Sequence, residues 1–297
     1  MAPRSSRTKN RPRLGLALSG GAARGLAHVG VLRALEEHGI VIDFVSGTSA
    51  GALVGGVYAA GMTVAEAETI GRSLHWRDIG RMTLSRLGIQ SNARMEDLLR
   101  ARMPVTRFEE LRIPFAAVAT DLNSGEAVVM SGEGDVPFAI RASCCVPGWY
   151  IPVTDPQGRQ LVDGGLVANI PVTQARDLGA EVVIAVDVNS EGAKFLGAPQ
   201  SVIGILLQTM MVVQRTAALH QLQAADLVVR PRVGHIRWDE MARADELLAA
   251  GYEAAIEAID EIRALLQSHE RPLPWYRLGR SRRTADAALK KKAPAPS

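Results

Sequence analysis

Cysteine is nearly absent from this chain of 297 residues, and the two present are neighbours, Cys144 and Cys145. Adjacent cysteines bridge one another only under strain, so a disulfide framework is excluded and a reducing cytoplasm is the simplest setting. Long hydrophobic runs are missing too. No segment approaches the roughly 18 apolar residues that cross a bilayer, and the most apolar stretch, 202–213, is broken by Gly204, Gln208 and Thr209. The apolar run at 14–18 is too short for a secretory signal core, and glycines follow it at once. A nucleotide-binding loop is equally incomplete. The glycines at 20–25 lack the Gly-Lys-Ser/Thr ending of a Walker loop and the full G-x-G-x-x-G spacing, and no acid closes the next strand where a ribose would bind. No internal repeat is visible.

What is present is a 47% hydrophobic share, enough for a buried core, and an uneven charge distribution. Residues 1–13 contribute +5 and residues 271–297 contribute +7, which leaves the body, 14–270, at −9 within a net charge of +3. Basic ends on an acidic body suit peripheral contact with an anionic membrane surface such as the inner face of the cell membrane. They equally suit weak, non-specific nucleic-acid contact or plain solvated tails. No specific nucleic-acid partner is expected.

Between the tails, strand and helix signals alternate, which predicts an α/β fold with a mostly parallel sheet. Strands are expected at 14–18, 41–45, 113–120, 127–130, 160–162, 182–188 and 227–230. Helices are expected at 25–38, 50–60, 136–145, 171–178, 201–223 and 243–266, and 63–103 reads as helix and loop without clear order. The helix at 50–60 contains Gly55 and Gly56 among alanines. Each interior glycine costs about 1 kcal/mol relative to alanine, which points to a helix packed very closely on the sheet.

Two glycine-rich turns carry the chemistry. Gly20-Gly21-Ala22-Ala23-Arg24-Gly25 follows the first strand, and Gly47-Thr48-Ser49-Ala50-Gly51 follows the second. The second has the form G-x-S-x-G, which sets a serine on a sharp strand-to-helix turn with its hydroxyl exposed. The first offers backbone N–H groups at a helix start, suited to negative charge. Strand, helix and strand form a βαβ unit with parallel strands. Both turns therefore leave from the carboxyl edge of the sheet, where α/β proteins build their sites. If the strands are adjacent, the two turns form one site, a nucleophile beside an oxyanion hole.

A serine nucleophile needs a base. Among the later histidines, His220 falls within a predicted helix and His269 near the end of one, whereas His235 follows Gly234 in a loop and is the best placed of the three. His28, inside the first predicted helix, reads as structural. The other candidate is Asp163 in Leu161-Val162-Asp163-Gly164-Gly165, which ends a short strand and runs into two glycines. A carboxylate is a poor base near its ordinary pKa, but desolvation raises that pKa and contact with the serine shortens the transfer. An Asp-Gly-Gly turn with no further role fits the same residues.

These motifs, in this order, resemble the patatin-like phospholipase family. The resemblance extends to Ala119-Thr120-Asp121-Leu122 with Ser124-Gly125-Glu126, to Arg141-Ala142-Ser143 and to Val146-Pro147-Gly148, and covers roughly 14–176. It implies a three-layer α/β/α catalytic domain at 14–176, with 177–270 packing on the same fold. It implies a Ser49–Asp163 dyad without histidine and an oxyanion hole from the amides of Gly20, Gly21 and Ala22. Arg24 either fixes that loop or sits near a substrate phosphate, and Gly25, Gly47, Gly51, Gly164 and Gly165 support the turns. The implied reaction is hydrolysis of lipid acyl esters through an acyl-serine, with no metal or other cofactor. Cys144-Cys145 and Trp149-Tyr150 stand where the family usually has smaller or aliphatic residues, which changes the shape of the acyl pocket. Two other readings fit the residues: an esterase or thioesterase on soluble acyl substrates, and a silent lipid- or partner-binding module. The stretch 202–213 fits either a lipid-access surface or, at helical spacing, core or a dimer face.

Overall fold

A computed structural model of the chain describes residues 11–190, 199 and 201–270. The basic tails lie outside these residues except for 11–13, where Arg11 makes a two-pronged ion pair with Asp43 at 2.7 Å. The sheet is built from β1 (Leu14–Leu18), β2 (Phe44–Thr48), β5 (Phe115–Asp121), β10 (Val182–Val186) and β11 (Leu227–Val229), all parallel. Three antiparallel strands, β6 (Ala127–Ser131), β8 (Val153–Thr154) and β9 (Gln160–Asp163), extend it beyond β5. A small second sheet joins β3 (Arg81–Met82), β4 (Gly88–Ser91) and β7 (Gly148–Tyr150).

The period-two alternation of β1 divides the core into two layers. Leu14, Leu16 and Leu18 pack with α1 (Leu26–Glu37), α2 (Ala50–Ala59) and α10 (Ala244–Ser268). Ala17 faces the other way, toward α8 (Val172–Asp177) and Ala218 of α9 (Val202–Leu222). The result is the α/β fold with a mostly parallel sheet that the alternating pattern predicts, in the three-layer α/β/α form that the family resemblance implies. The helices on the α1 side approach one another through glycines. A Cβ on Gly251 of α10 would lie 1.9 Å from the Ala27 carbonyl of α1, so these helices touch backbone to backbone. The same closeness explains α2. A Cβ on Gly56 would meet Ile140 of α6 (Val136–Ser143) at 2.6 Å, and one on Gly55 would meet Val45 of β2 at 2.8 Å.

β2 lies three residues later than the hydrophobic pattern suggests. Its second half is Ser46, Gly47 and Thr48, buried polar or small residues that no apolar count can flag. Their hydroxyls are satisfied internally: Ser46 donates to the Pro171 carbonyl and Thr48 to that of Ala168. The strand thereby runs straight into Ser49.

Candidate active site

The register of the sheet brings the two key side chains together. Leu18 of β1 pairs with Gly47 of β2, so the glycine turn after β1 and the serine turn after β2 stand side by side. β6 occupies one edge of β5 along Ala116–Thr120, which leaves the opposite edge to both β2 and β9. β2 ends at Thr48 opposite Val118, and β9, running the other way, ends at Asp163 opposite Ala119. The two strands therefore approach head to head, and Ser49 and Asp163 leave them one rung apart.

Ser49 is a non-glycine residue with φ of 54°, a conformation that costs energy and persists only where its surroundings enforce it. Ser143 enforces it here. Its hydroxyl accepts the Ser49 amide at 2.8 Å and donates to the Val118 carbonyl. Gly47 and Gly51 make the turn sterically feasible, since a Cβ on Gly51 would fall 2.2 Å from the Leu18 carbonyl and one on Gly47 would fall 2.3 Å from the Gly51 carbonyl. Gly25 admits Ala50 in the same way, at 2.4 Å.

Asp163 is buried beside Ser49, and its carboxylate takes a hydrogen bond at 2.8 Å from the Gly165 amide. Burial raises its pKa to about 6, and the nearby Ser49 hydroxyl and the Gly165 amide limit the rise. Gly164 lets β9 lie flat on β5, where a Cβ would be 2.1 Å from the Val118 carbonyl. Gly165 leaves room for Gln214 of α9, at 2.2 Å from a Cβ placed there. Cys144 lies alongside in the cavity wall, and its burial and the nearby Asp163 charge push its thiol well above the usual range, so it stays neutral. Both cysteines are free thiols, and Cys145 donates to the Ile151 carbonyl at 3.0 Å.

The first glycine loop faces Ser49, with one difference from expectation. The Gly20 amide donates to the Asn169 carbonyl at 3.1 Å and is therefore committed to the fold. The amides of Gly21 and Ala22 have no acceptor among the described residues, and Ala22 is held at φ of 50°. The amide of Ala50 is equally open, because it begins a helix and first-turn amides have no partner within it. It is a donor that a motif search on the first loop overlooks.

Arg24 fixes this loop from beneath. Wholly buried, it donates through Nε to the Ile236 carbonyl at 2.7 Å and through its terminal nitrogens to the Gly234 carbonyl and Asn189. Asn189 in turn donates to the Gly20 carbonyl at 2.8 Å, and the Ala23 amide to the Trp238 carbonyl at 2.9 Å. Arg24 is thus bonded to the segments on either side of the loop and has no exposed surface.

Ser49, Asp163, Gly21 and Ala22 open onto a cavity of about 120 Å³ walled chiefly by apolar side chains. Three of the chain's four tryptophans build its rim. Trp238 stands edge to face with Trp76 and Trp149, at centroid distances of 5.9 and 5.8 Å. They come from positions far apart in sequence, so their assembly is invisible before folding. Cys144, Trp149 and Tyr150 all reach the cavity, whereas Cys145 does not line it.

A sequence model of the patatin-like phospholipase family matches residues 16–176, more than half of the chain. The chain belongs to the patatin-like phospholipase family. An NTE family protein of Mycobacterium tuberculosis is 39% identical over 223 residues, which cover 74% of this chain and 61% of that protein. A patatin-like phospholipase domain-containing protein of Caenorhabditis elegans is 42% identical over 188 residues, 60% of this chain and 14% of that protein. The chain thus spans less than two thirds of these relatives. Among solved structures, VipD from Legionella pneumophila shares the fold with a TM-score of 0.52 at 14% identity, over 84% of this chain and 67% of that one.

In this patatin-family chain no histidine lines the cavity among the described residues. His235 instead pairs with Glu246 on the exposed side of the Gly234 loop, in a separate depression against α10. His28 bonds the Ser19 carbonyl at 2.8 Å, and burial lowers its pKa to about 4. No group of three or more His, Cys, Asp or Glu side chains among the described residues is arranged to hold a metal. Replacing Arg24 by methionine is expected to lower stability by about 2 kcal/mol, as several buried carbonyls lose a charged donor. It should also cut ester turnover by roughly 10- to 100-fold as the Gly20–Gly25 loop beside Ser49 loosens. Denaturant melts and initial rates on a p-nitrophenyl ester check both.

Proposed function

We propose that this chain is a serine acyl-hydrolase acting on fatty-acyl esters of phospholipids, lysophospholipids or related lipids, with Ser49 as nucleophile and Asp163 as its base. The observation that carries the reading is the buried Asp163 carboxylate set beside Ser49 by the head-to-head strands β2 and β9, both residues lining an apolar cavity. Support comes also from kinship with a lysophospholipase of Mycosarcoma maydis, 39% identical over 188 residues that make up 10% of that protein.

The chemistry follows from the placement. As Ser49 Oγ attacks the acyl carbonyl, its proton passes to Asp163, whose raised pKa makes it a better acceptor than an ordinary carboxylate. Negative charge then develops on the carbonyl oxygen, and the unengaged amides of Gly21 and Ala22 are fixed before it arrives, so little reorganisation is needed. Asp163 returns the proton to the departing alkoxide, and the acyl group stays on Ser49. Water enters, gives a proton to Asp163 as it attacks the ester, and Ser49 recovers its hydrogen when the fatty acid leaves. The apolar walls suit the acyl chain and keep the dyad desolvated.

A panel of diacyl phospholipid, lysophospholipid and short p-nitrophenyl esters, read by mass spectrometry of released fatty acid, tests the reading. Release from at least one lipid, absent in Ser49→Ala, is the expected result. No release from any lipid together with brisk turnover of short soluble esters points to a soluble-substrate esterase. Inertness to every ester and to a fluorophosphonate probe removes the hydrolase assignment.

A further inference from the structure

α9 breaks the usual rule for a surface helix, which turns polar residues to water. Its inner face lines the cavity through Leu207, Met210 and Met211. Its outer face repeats at helical spacing as Val202, Ile205, Leu206, Val212, Val213 and Leu219, each between 48% and 74% exposed. The helix is apolar on both sides, yet it is not among spans long and apolar enough to cross a membrane. It is held at its C-terminal half, where Gln221 accepts the Ile170 amide at 2.8 Å and donates to the Val167 carbonyl.

A second element shares this character. The β3–β4 hairpin carries Met82, Leu84 and Leu87, each at least 58% exposed, interleaved with Arg81 and Arg86. β4 pairs with β7, whose Trp149 and Tyr150 line the cavity, and β7 touches α9. Hairpin, β7 and α9 thus make a continuous border along the cavity that holds Ser49 and Asp163.

Charge selects the occupant of that border. In a body that carries −9 overall, residues 80–95 contain three arginines and no acid, and residues 199–222 contain Arg215 and no acid. An apolar patch of this kind marks an interaction surface. The exposed side chains on α9 are aliphatic and lack the aromatic anchors that dominate protein–protein contacts. Aliphatic residues inserted beside flanking arginines match an anionic bilayer, with the apolar groups below the headgroups and the guanidinium groups among them.

We propose that the outer face of α9 and the β3–β4 tip form one docking surface for an anionic lipid bilayer, seating the cavity on its substrate source. The choice of a lipid occupant rests on the acyl-hydrolase reading, but the test does not depend on turnover. Full-length Ser49→Ala is mixed with sedimentable vesicles of phosphatidylcholine alone or with about 30% phosphatidylglycerol, a content chosen to give an anionic surface potential. The same measurement is made with Leu84→Asp/Leu87→Asp and with Ile205→Asp/Val212→Asp added to that chain. Binding is expected to favour the anionic vesicles, and each pair should weaken it by about tenfold or more, with circular dichroism and melting temperature unchanged. Should the α9 pair disturb folding, Ile205→Ser/Val212→Ser takes its place. Equal binding by all variants, or no vesicle binding by the parent, overturns the proposal. So does light scattering that shows a dimer which the α9 pair splits, because the face would then belong to a second copy. Since Ser49 is absent throughout, failure here leaves the hydrolase reading to its own assay.

Discussion

Asp163→Asn is expected to remove turnover and, at neutral pH, to make the protein harder to unfold. The loss should be about a thousandfold or more in kcat on a p-nitrophenyl ester, because asparagine preserves the shape of the site but takes no proton. The gain in stability follows from burial. The carboxyl titrates near 6 in the folded chain and near its ordinary 3.8 when unfolded. Between those values the folded state binds more protons, so this group's contribution falls as pH rises through the window and stays unfavourable above it. At pH 7 to 8 the ionised carboxylate costs the fold on the order of 2–3 kcal/mol, which the asparagine variant avoids. The difference between variant and parent should shrink to nothing by about pH 4.

His28 runs the opposite way. Its folded pKa is depressed to about 4 from 6.5, so the unfolded chain takes the proton first and stability is lost as pH falls through that window. In the parent protein the two effects offset one another across much of the same range. Asp163→Asn should therefore remove the offsetting term and make stability decline more steeply below about pH 6.5 than it does in the parent. Melting temperatures of both proteins from pH 4 to 8 read this directly. Activity has its own signature: kcat/KM of the parent should drop about tenfold per pH unit below about 6, as the base becomes protonated. An acid limb unmoved by pH, or an asparagine variant with normal turnover and a His235→Ala variant without it, would show that Asp163 is not the base.

Ser49→Ala and Ser49→Gly separate chemistry from conformation at one position. Each should lower turnover by about 10⁴-fold or more, and neither should take up a fluorophosphonate, since the attacking oxygen is gone. Their stabilities should differ. At φ of 54° a Cβ is strained, whereas glycine adopts positive φ freely, so the glycine variant is expected to be the more stable by about 1 kcal/mol. Paired urea melts decide it. Equal stabilities would mean that the turn relaxes in the alanine variant and that Ser143 and the glycines do not hold it.

Much of this site was legible before folding, for physical reasons. G-x-S-x-G flanked by an apolar run and a small-residue helix describes a turn whose sterics admit few alternatives. The βαβ rule then placed the two glycine turns together, and the register confirms that β1 and β2 are adjacent. Asp163 was harder. An Asp-Gly-Gly turn is common, and what distinguishes this one is that β9 docks on β5 against the end of β2, a long-range pairing that no local pattern reports. Ser143 and Ala50 stood within the motifs, but their contacts went unread because a hydroxyl that positions a backbone amide, and an amide itself, leave no compositional mark. The small β3–β4–β7 sheet escaped for a related reason. Its strands are short and half-exposed, and Gly88 meets Gly148 across sixty residues of chain.

The head-to-head meeting of β2 and β9 on β5 makes the separation of Ser49 and Asp163 a discrete quantity. Ladder pairing advances by whole residues, about 3.3 Å at a time, and a slip of one rung turns the side chain to the other face of the sheet. No intermediate spacing exists for small substitutions to explore. Loops and walls between the two strands can lengthen, shrink or change character while this distance stays fixed. Shape around the cavity is free to drift, and the Ser49–Asp163 pairing is kept whole or lost outright.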